Sequence, residues 1–228
     1  MFNNCTKIEE LNVGHFNTDS ATTLQAMFYN CNKFQRLNVG NWNTENVTNM
    51  SNTFYECGSL VELDVSRWKT PLVTTFAGLF NGCRYVSRLN LSNFDTKSAT
   101  NLNSMFTKTS CDITFSNKDT SQVASAFAMF NVFYGETIDL SGLDFSNCKD
   151  TRSFVTVADN LVNFMPPNNI SSNIMLTADN LSVDSLVAII NNLATVKNTQ
   201  ILEIGEYNIQ KLTDEQLAVA ISKNWTVC

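Results

Sequence analysis

A 26-residue repeat constrains the fold of this chain more than any other feature of its sequence. Equivalent residues recur at this step through four consecutive units, among them the cysteines Cys5, Cys31, Cys57 and Cys83. The same step relates the aromatic residues Phe16, Trp42, Trp68 and Phe94. A fifth unit, which begins at Met105, is two residues shorter, and a sixth begins at Met129. Repetition at such a period is typical of architectures in which like units stack on one another.

The pattern within one unit predicts the shape of each coil. A Leu-x-Val segment such as Leu37–Val39 alternates with period two, which indicates a short strand with one buried face. The other apolar residues recur every few positions, too closely for an amphipathic helix. A coil that turns them inward and stacks on like coils would bury them all. The repeat therefore predicts a solenoid of the α/β class, with about six coils of short parallel strands.

The segments "LDVSRW" (Leu63–Trp68) and "LNLSNFDT" (Leu89–Thr96) resemble the BspA-type leucine-rich repeats of bacterial surface proteins. Such repeats also occur in proteins encoded by tailed bacteriophages. The resemblance covers roughly residues 1–155. It implies a leucine-rich-repeat solenoid, usually exported and usually assigned to adhesion or partner binding, and it carries no catalytic residues to transfer to this chain.

A change of pattern near residue 165 predicts a different C-terminal section. The stretch "MPPNNISSN" excludes regular structure, so residues 1–164 are predicted as the repeat solenoid and 165–173 as a loop. Residues 174–228 are predicted to cap the C-terminal end with two strand–helix units. Ser182 is expected to cap the first helix, and the Thr213 to Gln216 capping box the second.

The opposite end begins in full repeat register at Met1 and Phe2. A solenoid end without a polar cap leaves apolar residues and strand edges in water. We therefore expect either an upstream domain or another subunit, such as a second copy of the chain, to cover this end.

Several function classes are disfavoured by composition and motifs. The net charge of −6 argues against nucleic-acid binding, and no apolar stretch is long enough to insert into a membrane. No secretion signal is visible. The chain lacks a phosphate-binding loop, a nucleophile elbow and a zinc-binding helix, and its only histidine, His15, is expected to be exposed. We predict no enzymatic activity, no metal and no cofactor.

The cysteine column is predicted to be a structural ladder of buried thiols, formed by Cys5, Cys31, Cys57 and Cys83. Parallel inward-pointing side chains are poorly aimed for disulfide bonds, although neighbouring strands are only about 4.8 Å apart. Zinc binding is disfavoured because the cysteines are not closely paired in sequence.

The polar positions around the strand leucine are the candidate partner-binding strand face. They are Glu10, Asn12, Arg36, Asn38, Glu62, Asp64, Arg88 and Asn90. The charges alternate in sign from unit to unit, so stacked neighbours should form ion pairs that maintain register. The amides and carboxylates either meet a partner, as polar faces of repeat proteins do, or only hydrogen-bond to one another between coils. Both interpretations remain open from sequence.

The leading functional hypothesis is a non-enzymatic adhesion module that binds a protein or a glycan on a host or cell surface through this face. It would be displayed outside the cell, on a bacterial surface or a phage particle. The alternative hypothesis is a structural component of a phage virion, in a tail or head appendage, with its N-terminal end covered by another subunit. Unbridged thiols suit assembly in a reducing cytoplasm.

Overall fold

The computed structural model describes all 228 residues. It contains ten short strands and three helices. In chain order these are β1 (Arg36–Leu37), β2 (Glu62–Leu63), β3 (Ile113–Thr114), β4 (Phe130–Asn131), β5 (Thr137–Asp139), β6 (Thr151–Thr156), β7 (Asn163–Met165), β8 (Ile174–Thr177), α1 (Val183–Asn192), β9 (Gln200–Glu203), α2 (Glu206–Ile209), α3 (Asp214–Ser222) and β10 (Trp225–Val227).

Every strand pairing is parallel, and the strands form three sheets. One sheet has the order β1-β2, the second β3-β5-β7, and the third β10-β9-β8-β6-β4. Parallel strands with few helices are consistent with the predicted α/β class. Two of the first four repeats contain the predicted Leu-x-Val strand, and there it spans only two residues.

A ladder of single parallel bridges joins successive repeats on another side of the unit. It runs through Thr23, Asn49, Thr75, Asn101, Ser125 and Asp150. The step is 26 residues as far as Asn101 and 24 from Asn101 to Ser125, so the shorter fifth unit remains in register. The ladder ends at Asp150, and β6 begins one residue later. It thus has one bridging residue in each of the six units that the repeat pattern predicted.

Two residues in each repeat adopt a left-handed backbone conformation next to this ladder. One column comprises Ala26, Asn52, Gly78, Ser104, Ala128 and Ser153. The other comprises Asn4, Asn30, Glu56, Gly82, Lys108, Val132 and Val157. Positive φ is uncommon outside glycine and asparagine and is unfavourable for a β-branched residue such as Val132. The left-handed residues turn alternate backbone N–H groups toward the next repeat. The N–H groups of Leu24, Ala26 and Phe28, for example, donate in order to the carbonyls of Asn49, Ser51 and Thr53.

A column of stacked phenylalanine rings runs through the core. The ring centroids of Phe28 and Phe54 are 5.7 Å apart, and those of Phe54 and Phe80 are 5.9 Å apart. The column continues through Phe106 to Phe130. Rings of successive repeats lie almost parallel because equivalent residues occupy equivalent positions. Stacked rings at these distances attract one another.

The second aromatic column is also internal, as predicted. Trp42, Trp68 and Phe94 are buried, and Phe16 in the first repeat is half-buried. The indole N–H of Trp68 donates to the carbonyl of Val39 in the preceding repeat at 3.0 Å. These rings are therefore not an exposed platform for sugars.

The C-terminal helices begin where the sequence predicted. The Ser182 hydroxyl accepts the N–H of Ser185 at the start of α1, and Thr213 and Gln216 form a reciprocal capping box at α3. Asn224 has a φ of 69° after α3, as expected for a residue that ends a helix. Helix α2 was not predicted. None of the helices combines the length and apolar character that crossing a membrane requires.

The segment 165–173, predicted as a loop, contributes two bridges, Asn168 to Asp144 and Ile170 to Leu193. One hydrophobic core of 60 buried residues extends from Val13 to Trp225. The sheet β10-β9-β8-β6-β4 likewise combines strands from both sides of this segment. The boundary at residue 164 stays a prediction, and stacking interactions cross it.

Candidate functional site

All eight predicted strand-face residues are exposed, and all eight line open grooves on one side of the repeats. The reason is the strand alternation: Leu37 and Leu63 point into the core, so their neighbours in sequence point outward. We name the grooves A, B and C from the N-terminal end and define their residues below.

Groove A lies between the first and second repeats and has a volume of about 1080 Å³. It is lined by Glu9, Glu10, Leu11, Asn12, Lys33, Gln35, Arg36, Asn38 and Ser59. No backbone hydrogen bond joins residues 7–12 to residues 33–38, whereas Val61 donates to Gln35 at the next step. Groove A therefore combines polar side chains with backbone groups of residues 7–12 that make no hydrogen bond to the second repeat.

Grooves B and C continue along the same face. Groove B, about 350 Å³, is lined by Val61, Glu62, Leu63, Asp64, Ser66, Ser87, Arg88 and Asn90. Groove C, about 730 Å³, is lined by Ser87, Arg88, Leu89, Asn90, Leu91, Ser92, Asp112, Thr114, Ser116, Asn117 and Lys118. Groove C coincides with the break between the sheets β1-β2 and β3-β5-β7, and no backbone hydrogen bond joins residues 87–91 to 111–115. All three linings are mainly polar.

The amide and carboxylate column does not hydrogen-bond to itself between repeats, which corrects one of the two interpretations from sequence. Instead, three of its side-chain oxygens accept the backbone N–H two residues later in the same repeat. Asn12 accepts from Gly14 at 3.2 Å, Asp64 from Ser66 at 2.9 Å, and Asn90 from Ser92 at 3.1 Å. Hydrogen bonds from Ser66 lower the pKa of Asp64, so this carboxylate stays charged. These local turns orient the side chains on the face.

The predicted chain of ion pairs forms at one step only. Arg36 Nη2 lies 3.1 Å from Glu62 Oε1, and both side chains are largely exposed. Neither Glu10 nor Arg88 has an ion-pair partner within 4.0 Å. Because parallel β1 and β2 place Arg36 directly beside Glu62, that pair needs little side-chain ordering. The charged groups of Glu10 and Arg88, at the two ends of the strand face, are therefore available to bind a partner.

The cysteine ladder lies inside the molecule, away from the strand face. All seven cysteines are free; Cys31, Cys57 and Cys83 are buried, and Cys5 is half-buried. The Cys31 thiol donates to the Phe2 carbonyl at 2.7 Å, and Cys57 donates to the Phe28 carbonyl at 3.0 Å. Burial raises the pKa of both thiols, so they remain protonated donors. This environment is the opposite of one that activates a nucleophilic cysteine.

His15 is exposed, as predicted, and its ring meets the edge of Phe16. No group of three or more acidic, histidine or cysteine side chains is arranged to hold a metal ion.

Sequence reasoning missed several groove residues. Glu9 and Lys33 in groove A lie next to the repeated columns rather than in them. Asp112 in groove C is the counterpart of Arg88, but the two-residue shortening of the fifth unit places it at a step of 24. Aligning that unit on its strand residue Ile113, instead of on its first methionine, would have found it.

These features define a repeat protein with mostly parallel strands and a polar face. The chain belongs to the family described as "Mycoplasma protein of unknown function, DUF285", whose model matches residues 1–112 and residues 59–167. The two matches overlap, as expected when the matched sequence is itself repetitive. No curated protein matches the chain significantly. No solved structure matches it either.

Proposed function

We propose that this chain is a non-enzymatic binding module, built as a leucine-rich-repeat solenoid of the BspA type and displayed on a bacterial surface or a phage particle. It recognises a protein or glycan partner along the strand face. Several repeats contribute to each contact, so that affinity accumulates from many modest polar interactions.

The observation that carries this proposal is the alignment of grooves A, B and C along one side of the repeats. Each repeat supplies equivalent outward positions, and the polar groups at these positions are oriented by local turns rather than used for stacking. Extended faces of this kind are the surfaces that repeat proteins use for binding. The buried thiols and the single exposed histidine offer no comparable arrangement for catalysis.

Reversing two charges of the face tests the proposal. Arg36→Glu with Arg88→Glu should abolish binding of the purified protein to cells and to glycan arrays, while its circular dichroism spectrum and unfolding midpoint remain close to those of the parent. Lys149→Glu with Lys197→Glu makes the same charge change elsewhere on the surface and should preserve binding. If the folded strand-face variant binds as well as the parent, the strand face is not the binding site.

A second candidate, an assembly component of a phage virion, is favoured by the first repeat. Phe2, Leu11 and Phe16 are only half-buried. Their counterparts Phe28, Leu37 and Trp42 are exposed by 0%, 3% and 3%. Another subunit placed against the first repeat would remove these apolar groups from water.

Light scattering over a range of protein concentrations tests whether a second copy covers this end. The parent should show a mass above that of one chain, and Phe16→Asp should shift it to the monomer. A parent that remains monomeric at every concentration would exclude a second copy as the covering subunit.

A further inference from the structure

We propose that the partner of the strand face is an extended polypeptide segment that carries a cationic side chain and, about four residues away, a carboxylate. The cation would lie in groove A and the carboxylate in groove C. This inference rests on the proposed function and commits to one of its two ligand classes.

The first argument is the distribution of charge along the face. Groove A contains the carboxylates of Glu9 and Glu10, with Lys33 as its one cation outside an ion pair, because Arg36 is engaged by Glu62. Groove A therefore has an excess of negative charge.

Groove C contains two cations against the single carboxylate of Asp112: Arg88, which has no ion-pair partner, and Lys118, whose Nζ donates to the carbonyl of Ser92 at 2.7 Å. Asp112 already accepts the backbone N–H groups of Glu136 at 3.0 Å and Thr137 at 2.8 Å. Groove B, between the two, shares Arg88 with groove C but adds two carboxylates: Glu62, which is paired, and Asp64, which is held by Ser66. Groove C is thus the part of the face best suited to accept a carboxylate.

The second argument is distance. Groove A lies at the step from the first to the second repeat, and groove C at the step from the fourth to the fifth. Three repeat steps at the spacing of neighbouring strands span about 14 Å, and an extended peptide covers that distance with roughly four residues. Side chains at those two positions of one peptide could therefore reach both grooves together.

The third argument is the backbone. Grooves A and C lie at the steps of the strand column where residues 7–12 and 87–91 make no backbone hydrogen bonds to the next repeat. A peptide that spans the two grooves crosses the strands, so it would meet these free N–H and C=O groups singly at each end of the span rather than as an added strand. Most glycans carry no cation, whereas a polypeptide can supply both charges together with backbone donors and acceptors. The polypeptide class satisfies all three features of the face.

The test is selection of a displayed library of random twelve-residue peptides on the immobilised full chain. Peptides enriched by the selection should carry Lys or Arg and Asp or Glu about four residues apart. Their affinity should fall at least tenfold for Glu10→Arg with Arg88→Glu, and exchanging the two charged residues of the peptide should restore it. The control, Asp159→Lys with Lys197→Glu, exchanges two exposed charges outside the grooves and should bind like the parent.

The outcomes separate this inference from the function on which it rests. If no such peptides are enriched, or if they bind the exchanged variant equally well, the polypeptide inference is wrong. Should binding to the glycan array still disappear with Arg36→Glu and Arg88→Glu, the proposed function survives with a glycan ligand. If strand-face variants change neither kind of binding, both proposals fail.

Discussion

In the repeats, side chains at equivalent positions satisfy backbone groups of the next unit, whereas in the C-terminal section single polar side chains without a repeated pattern join one unit to the other. The Thr70 hydroxyl, for example, donates to the carbonyl of Asp95 in the following repeat at 2.8 Å. At the C-terminal end, Lys223 Nζ instead donates to the carbonyls of Ile190 and Asn191 at the end of α1. Both regions contribute strands to one sheet, so one stack accommodates both solutions.

The two regions are therefore sensitive to different substitutions. A repeat depends on an identical neighbour, since its hydrogen bonds and ring contacts are made between units. A strand–helix unit depends on a few polar side chains that have no equivalent elsewhere. The following substitutions test this contrast, beginning with the largest expected effect.

Phe54→Ala should reduce the free energy of unfolding by about 3–5 kcal/mol. Phe54 is fully buried, and its ring stacks between those of Phe28 and Phe80. Guanidinium denaturation would measure the loss. Phe2→Ala is the matched variant, because Phe2 has a stacked neighbour on one side and is half-buried. Equal losses for the two variants would contradict the dependence on a repeat at either side.

Asn208→Ala should cost about 2–3 kcal/mol, since it leaves two buried carbonyls without their donor. Asn208 is fully buried, and its amide donates to Ala178 at 3.0 Å and to Ile204 at 2.9 Å. Guanidinium denaturation would measure this loss as well. Asn198→Ala, at an exposed position, should have little effect. Similar small changes in both would mean that this polar contact does not stabilise the C-terminal units.

Stability should fall in alkaline solution. Burial raises the pKa of Cys111 and of Cys148 to about 11. In the unfolded chain such thiols have a pKa of about 8.5, so between these two pKa values the unfolded state has lost protons that the folded state retains. Each thiol then lowers the free energy of unfolding by about 1.4 kcal/mol per pH unit, up to its folded pKa.

Urea denaturation at several pH values from 7 to about 10 would measure this slope. Cys148→Ala should reduce the slope of the free energy of unfolding against pH above about pH 8.5, by the contribution of one thiol. An unchanged slope in that variant would show that Cys148 titrates alike in the folded and unfolded states.

Thr213→Ala should cost about 1 kcal/mol by removing the cap of α3. The Thr213 hydroxyl accepts the N–H of Gln216 at 3.3 Å, and the Gln216 side chain accepts the N–H of Thr213 at 2.9 Å. A lower thermal midpoint would report the loss. Thr195→Ala, at an exposed position outside the helices, is the control and should leave the midpoint unchanged.

The smallest effect is expected on the strand face. A double-mutant cycle with Arg36→Ala and Glu62→Ala should give a coupling energy of about 0.2–1 kcal/mol, which weakens as salt is added. A coupling above about 2 kcal/mol would mean that this exposed pair maintains the stack, and that its residues are less free to meet a partner than we propose.

Much of the fold can be predicted from the sequence because the repeat period shows which residues of successive units lie next to one another. The cysteine and aromatic columns each recur at one step, so a single interpretation applies to four units at once. The helix caps at Ser182 and Thr213 were also predictable, since capping depends on residues only three positions apart. Helix α2 was missed because it is a single turn, and its buried Asn208 reaches Ala178 thirty residues away.

The sequence predicted which residues of the strand face point outward, but it did not predict how their side chains pair with one another. Alternation around Leu37 and Leu63 places their neighbours outside, and this needs no knowledge of the fold beyond the strand. The charge row suggested three ion pairs, and one forms. The step from Glu10 to Arg36 lies at groove A, where no backbone hydrogen bond joins the two strand segments. At the step from Glu62 to Arg88, the Glu62 carboxylate is already engaged by Arg36.

The period, the inward columns and the outward polar positions can be read directly from the residues, because each is a property of one repeat copied along the chain. The left-handed backbone at Glu56, Lys108 and Val132, and the points where the strand ladder opens, emerge only in the folded molecule. Those features depend on contacts with the preceding and following repeats, which can override local preference when the gain in stacking exceeds the backbone strain.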